Sequence, residues 1–493
     1  MLIKQPLLLL LLALLLFAFP ATNAQRKPQA KPNVLFIAVD DLRPEFGAYG
    51  SKYIHSPNLD RLAKQGVTFT RAYCQQAVCS PSRSSLMTGT RPDTTKVWNL
   101  VTHFRTALPE VVTLPQHFKQ NGYFVQGMGK LYHGGYDDPP SWSAPWSKPN
   151  GATYALPENE ARMKASQAKD RQGASVEEGS RGPAFESADV PDNTFQDGAL
   201  AEMAVAALRD IAKKNQPFWL GVGFIKPHLP FVAPKKYWDL YDPAKIQLAP
   251  NPFKAADAPD YAVLPGGELR VYRGIPSGPI PDDLARQLKH GYYASISYMD
   301  AQLGRVLDEL DRLKLRENTI IILWGDHGWK LGEHGAWCKH SNVENDTHAP
   351  LLISAPGLKT AGTRNDALVE FVDVYPTLAE LCGLSLPGHL EGVSLGPLLR
   401  NTAKSVKTAA FSQYPRAVQG LQLMGYSMRT ERYRFTRWVQ RNDHSKVDAV
   451  ELYDHQTDPQ ENVNIAKDPK HAALVAQLTE QWQKGWRGSA AER

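Results

Sequence analysis

Hydrophobic positions along the chain gather into short unbroken runs that stop at polar, ionisable residues. Asn33-Val34-Leu35-Phe36-Ile37-Ala38-Val39 ends at Asp40-Asp41. Phe218-Trp219-Leu220-Gly221-Val222-Gly223-Phe224 leads to Lys226-Pro227-His228, and Thr319-Ile320-Ile321-Ile322-Leu323-Trp324 leads to Gly325-Asp326-His327-Gly328. Runs of this length without polar alternation predict strands buried on both faces. Between them Leu284, Leu288, Tyr292, Ile296, Met299, Leu303, Leu307 and Leu310 recur at mostly three- and four-residue steps, which predicts a helix over 284–313 with one buried stripe. Residues 199–213 and 377–381 read likewise. Helices alternating with buried strands predict an α/β fold, a parallel sheet covered on both faces, whose carboxyl edge is where ligands bind.

The pattern changes in two places. Residues 140–193 are rich in Pro, Ser, Gly and charge, and read as a long surface insertion with little structure of its own. Beyond about residue 401 the texture becomes that of a smaller α+β domain: aromatic and Arg residues alternate over 425–438 as in exposed antiparallel strands, and 472–486 reads as a terminal helix. The expected organisation is a catalytic domain over 25–400 and a C-terminal subdomain over 401–493.

Composition agrees with a globular chain. Of 493 residues, 42% are hydrophobic, 10% aromatic and 22% charged, too apolar for disorder. Lys+Arg 56 against Asp+Glu 50 gives a net +6 without basic runs, which argues against a nucleic-acid surface and leaves room for an anionic ligand. At the start, Lys4 precedes an apolar run over 7–19, then Pro20 and Ala21-Thr22-Asn23-Ala24. That is the form of a signal peptide, residues 1–24, cut after Ala24. The apolar run is too short to span a bilayer comfortably, so the expectation is an exported product, periplasmic or secreted, without stable membrane association. Four cysteines, Cys74, Cys79, Cys338 and Cys382, are too few for a disulfide framework and allow at most one bridge once Cys79 is set aside for chemistry.

Asp40, Asp41 and Asp326 are oxygen donors at predicted strand ends, the kind of set that hard divalent cations take. A lone acidic residue after a strand is as often a cap or turn former, but two adjacent carboxylates repel, and a cation is the simplest reason to keep both ionised. In Cys79-Ser80-Pro81-Ser82-Arg83, Pro81 suits a first helical turn, which places Cys79 at a helix N-terminus with Arg83 one turn on along the same face. On spacing alone this is equally a buried structural cysteine or a thiolate nucleophile.

The segment resembles the activation signature of the type I sulfatases, Cys-x-Pro-Ser-Arg followed by a Leu-Thr-Gly-Arg element. Met87 and Thr90 stand where that element usually has Leu and Arg. Gly129-Lys130-Leu131-Tyr132-His133, Lys226-Pro227-His228, Gly325-Asp326-His327-Gly328 and the closing Leu452-Tyr453-Asp454 with Asp458-Pro459-Gln460-Glu461-Asn462 follow in the family's order. The resemblance implies an alkaline-phosphatase-like large sheet flanked by helices, with a smaller C-terminal α+β domain. It also implies that a maturation enzyme converts Cys79 to formylglycine, and that one Ca²⁺ is held by Asp40, Asp41, residue 79, Asp326 and His327. In the same reading Lys130 and His133 orient the nucleophile, His228 is the acid, Lys339 grips the sulfate and Arg83 braces residue 79. The substrate class is sulfated oligo- or polysaccharide, glycosaminoglycans included. Residues 88–95, 226–231 and 331–342 look like the subgroup acting on 2-O-sulfated iduronate, with His103, Arg105 and His340 expected near a sugar carboxylate. Other readings are another sulfated hexose, a phosphatase or phosphodiesterase of the same superfamily, and a non-catalytic binder of sulfated glycans with Cys79 unconverted.

Overall fold

The three apolar runs become neighbouring strands because nothing in them can face water. The computed structural model describes residues 31–171, 177–401 and 404–490. The signal-peptide reading of 1–24 lies outside the described residues. Strands β1 (Asn33–Val39), β2 (Val67–Tyr73), β3 (Phe124–Gly129), β4 (Phe218–Phe224), β5 (Thr319–Gly325), β6 (Leu351–Ser354) and β7 (Arg364–Glu370) form one sheet in the order β7-β2-β6-β5-β1-β4-β3. Every residue of β1, β4 and β5 is buried.

Alternate side chains of β1 enter two separate cores, as the strand period of two requires. Leu35, Ile37 and Val39 pack with helices α3 (Gln196–Ile211) and α4 (Asp282–Arg312), whereas Val34, Phe36 and Ala38 pack with α1 (Cys79–Thr88) and α5 (Val374–Leu381). Phe36 stacks on Trp219 with ring centroids 5.1 Å apart. Each such fully buried large apolar side chain contributes about 1.5–3 kcal/mol.

The sheet is parallel except for β6, which runs antiparallel to both β5 and β2. A parallel neighbour needs a crossover back to the starting edge, but after β5 the chain stays at the carboxyl edge through residues 326–350 and simply returns. That detour carries His327 and Lys339. The carboxyl ends of β1, β2, β3, β4 and β5 all open on the same edge.

Residues 140–193 also differ from expectation, because they include helix α2 (Pro157–Arg171) and two short strands, Arg181–Pro183 and Phe185–Ala188, that pair with Tyr272–Arg273 and Phe231–Pro234. The inward positions of α2 are Asn159, Met163 and Ser166, a helical spacing filled mainly by polar residues. No apolar stripe marks it in the sequence.

Past residue 401, β8 (Ala410–Val418), β9 (Leu421–Arg429), β10 (Tyr433–Gln440) and β11 (Asp443–Asp454) form an antiparallel sheet, with α6 (Ala472–Lys484) packed on Met428, Phe435 and Leu452 through Leu478. Among the described residues no helix is long and apolar enough to cross a membrane.

Candidate active site

Asp40 and Asp41 follow β1, Lys130 follows β3, His228 follows β4, and Asp326 and His327 follow β5. Cys79 opens α1, the helix that follows β2. Val78 caps α1 in extended conformation, Gly89 ends it with a left-handed turn, and all ten residues of the helix are buried. The Ser82 hydroxyl donates to the Asp326 carbonyl, tying the first turn of α1 to the end of β5.

Arg83 links the cluster. Its Nε donates to Asp326 Oδ2 and its Nη2 to Asp40 Oδ1, both at 2.9 Å, while Nη1 donates to the Lys130 and Leu131 carbonyls. With no exposure of its own, Arg83 fixes two carboxylates and one backbone turn at once. Two glycines set the height of that turn. A Cβ on Gly223 would lie 2.3 Å from the Lys130 carbonyl carbon, and one on Gly129 would lie 2.2 Å from the Gly223 oxygen.

Asp41 adopts φ 58°, a strained conformation for a residue with a side chain. Its N–H donates to Asp326 Oδ1 (3.0 Å), and the Tyr292 hydroxyl donates to its carbonyl (2.7 Å). Lys130 pairs with Asp40, and Lys339 with Asp41 at 3.1 Å. Burial would raise the Asp40 carboxyl, but Lys130 and Arg83 overturn this and hold it well below the usual range. Burial also raises Asp41; Lys339 offsets part of this, Asp40 adds to it, and the carboxyl is pushed up to about 7. Asp41 therefore lacks enough positive charge from the protein alone.

His327 Nδ1 donates to the Gly328 carbonyl at 3.0 Å, which turns Nε2 to 3.4 Å from Asp41 Oδ1 and 3.6 Å from Asp326 Oδ2. In the neutral tautomer that Nε2 is a ligand atom aimed at the same point as the two carboxylates. Asp40, Asp41, Cys79 and His228 offer donor atoms within 4.8 Å of one another, and so do Cys79, Asp326 and His327. This donor set fits a hard divalent cation.

Cys79 Sγ is 3.4 Å from His327 Nε2 and 3.7 Å from Lys130 Nζ, and the residue is 2% exposed. Burial and the charge of Asp40 raise its thiol well above the ordinary value, with Lys130 opposing. The plain thiolate reading has no support in this environment. Burial and Lys130 bring His133 down to about 3, so it is neutral; its Nδ1 is buried without a hydrogen-bond partner.

His228 donates from Nδ1 to the Leu229 carbonyl (2.6 Å). Its turn is held from below by Asp197, which accepts from the N–H groups of Ile225 and Lys226 at 2.8 Å each. Nε2 lies 3.9 Å from Asp40 Oδ2, 3.8 Å from Asp41 Oδ2 and 3.1 Å from Glu268 Oε1. Glu268 Oε2 in turn lies 2.7 Å from Lys339 Nζ. Glu268 was invisible in the sequence: it sits on a four-residue helix, Gly267–Arg270, after Pro265-Gly266-Gly267, where only a turn is signalled. Lys339 stands between two residues in left-handed conformation, Cys338 (φ 71°) and His340 (φ 90°), and its ammonium lies 4.7 Å over the Trp329 ring.

Cys79, Lys130, His133, His228, Glu268 and Lys339 line a cleft of about 970 Å³, together with Trp146, Lys148, Arg181, Tyr272 and His340. His103 and Arg105 lie outside it. Arg105 is spent on Asp138 (2.5 and 3.0 Å), and His103 faces the Asp137 carbonyl, so the expectation that both face a sugar carboxylate is corrected. The closing motif is structural: Glu461 pairs with Arg434 and His455. None of the four cysteines forms a disulfide.

A sheet edge that gathers carboxylates, cationic side chains and a helix-N-terminal cysteine beneath one cleft defines a hydrolase for anionic esters. Residues 32–384 match the Sulfatase family and residues 332–487 match the N-sulphoglucosamine sulphohydrolase C-terminal family; the chain belongs to the sulfatases. It is 36% identical to iduronate 2-sulfatase of Homo sapiens, over 90% of this chain and 93% of that one. It is 34% identical to a sulfatase of Formosa agariphila, over 92% and 86%. Among solved structures, a 2-O glycosaminoglycan sulfatase superposes with TM-score 0.71 at 23% identity, covering 92% and 91% of the two chains. The phosphonate monoester hydrolase of Agrobacterium radiobacter gives 0.71 at 24%, covering 92% and 95%. These two likenesses establish the alkaline-phosphatase-like fold.

Proposed function

We propose that this sulfatase removes the sulfate ester from a 2-O-sulfated uronate, an iduronate or a related sugar, in a glycosaminoglycan or similar polysaccharide. The observation that carries the reading is the meeting of Cys79, the Asp40–Asp41–Asp326 carboxylates, His228 and Lys339 at the floor of one sugar-sized cleft. The 36% identity to iduronate 2-sulfatase along nearly the whole chain supports the choice of sugar.

Asp40, Asp41, Asp326 and His327 would hold one Ca²⁺, which when bound neutralises sulfate oxygens and lowers the pKa of a coordinated hydroxyl. Residue 79, matured to formylglycine by a partner enzyme, would supply that hydroxyl. Arg83 holds Asp40 and Asp326 apart and fixes their direction. Lys130 and neutral His133 border residue 79 and orient it. Lys339 meets the sulfate's charge from the cleft side. His228, with Nδ1 committed to Leu229, turns Nε2 into the cleft; burial and Lys130 lower its pKa while Asp40 and Glu268 oppose this, and in the imidazolium form Nε2–H donates to the departing sugar oxygen. Lys148, Arg181 and His340 line the same cleft, where the sugar carboxylate would lie. Export to the periplasm or medium, where such polysaccharides are met, belongs to the same proposal.

The test is an assay of matured protein on oligosaccharides that each carry one sulfate at a defined position. Preference for the 2-O-sulfated uronates is expected. A preference for 6-O-sulfated hexosamine or 3-O-sulfated deoxyhexose over all of them would overturn the sugar assignment.

A further inference from the structure

Lys339 and His228, the two groups assigned above to the sulfate and to the leaving oxygen, already share an anion of the protein's own. Glu268 spans them with one carboxylate oxygen each, 2.7 Å to Lys339 Nζ and 3.1 Å to His228 Nε2. Two oxygens of one anion set against two neighbouring nitrogen groups is also the way a sulfate presents itself.

The charges around Glu268 sharpen this. Arg83 and Lys130 are already paired with Asp40 and Asp326, and Lys339 with Asp41. Glu268 adds a further carboxylate, held by Lys339, which Asp41 also uses, and by His228. Burial works against its charge, yet Lys339 and His228 keep it ionised, well below the usual carboxylate range. An incoming sulfate and this carboxylate cannot both have first claim on Lys339.

The backbone around Glu268 suits a side chain that yields. Gly266 is wedged so that a Cβ would lie 2.3 Å from the Trp337 carbonyl oxygen, while Gly267 has open space around it. Leu269, on the far side, is buried and anchors the short helix. The carboxylate is thus carried between a fixed point and a free one.

We infer that Glu268 is an internal stand-in for sulfate: it occupies Lys339 and His228 between turnovers, competes with the sulfate group for them, and so drives out the sulfate product. The inference rests on the sulfatase reading of this cleft. It makes Glu268 a residue that sets the balance between holding an ester and releasing free sulfate.

Inorganic sulfate is the probe. Its dissociation constant is measured by calorimetry, and its inhibition constant by competition, on matured wild-type protein, Glu268→Gln and Glu268→Ala. Removal of the competing charge is expected to tighten sulfate binding at least tenfold in both variants. A purely structural Glu268 gives the opposite, because Lys339 and His228 lose their brace and sulfate binds more weakly. The near-isosteric Gln keeps the comparison open if the Ala variant fails to fold, with thermal midpoints as the check. Unchanged or weaker sulfate binding in Glu268→Gln, with wild-type protein active on a sulfate ester, overturns this inference alone. A wild-type protein that neither binds sulfate nor cleaves a sulfate ester overturns the sulfatase reading and this inference together.

Discussion

The Cys79 thiol is kept protonated by burial and by Asp40, so the unmodified side chain is a poor nucleophile, although it stands 3.4 Å from His327 and 3.7 Å from Lys130. Its value to the site lies in what occupies that point. Cys79→Ala is expected to abolish sulfate release while the thermal midpoint stays close to wild type, since only a sulfur atom is lost from the packing. More than trace turnover by the purified variant would remove residue 79 from the chemistry. At this scale the sequence was informative wherever a residue closes a buried strand or belongs to a spaced motif: Asp40, Asp41, Cys79, Arg83, Asp326 and His327 all meet in the structure. It was silent on Glu268, whose importance comes from partners 40 residues before it and 71 after. It misled at Arg105, because Asp138, which takes up that guanidinium, lies 33 positions away with no pattern joining the two.

Close approach between elements decides where Lys130 sits. The turn after β3 lies directly on β4, and only glycine at 223 leaves room for the Lys130 backbone. Gly223→Ala is expected to lift that turn, break the contact of Arg83 with the Lys130 carbonyl, and pull the Lys130 ammonium off Asp40. Overpacking of this kind costs about 1–3 kcal/mol. The expected signature is a fall in kcat of tenfold or more with a folded, moderately destabilised protein, read from steady-state kinetics beside thermal unfolding. Unchanged kcat would show that the height of this turn is immaterial. Strands and long helices were legible because their burial imposes a period. Helix α2 was not, since Asn159 and Ser166 fill two of its inward positions and leave no hydrophobic trace. Reversed β6 was not legible either, because direction depends on the path between strands and leaves no period within them.

Across the whole molecule, the antiparallel sheet reaches back to the segment that bears Lys339. Arg416 donates to the His340 carbonyl, Asn342 donates to the Gly425 carbonyl at 2.8 Å, and buried Arg434 bridges Glu461 and Glu344. Arg434→Met removes the cation from that bridge and leaves buried Glu461 with the Glu344 N–H and His455 as its partners. A loss of about 3–5 kcal/mol is expected, measured by denaturant unfolding. A loss under about 1 kcal/mol would mean that apolar packing, rather than these ions, joins the two sheets.

The complete enclosure of α1 also bears on the order of events in the life of the chain. Cys79 is 2% exposed, and every residue from 79 to 88 is covered, by segments as distant in sequence as Asp326. In the finished fold residues 79–88 are a buried helix, so the backbone around residue 79 presents no exposed extended segment to an enzyme that would remodel it. Conversion to formylglycine, as proposed here, therefore belongs to the interval between synthesis of residue 79 and arrival of β5. A chain that folds first is sealed with an inert cysteine at its centre. The same packing that holds the catalytic groups in register sets a deadline for making the nucleophile.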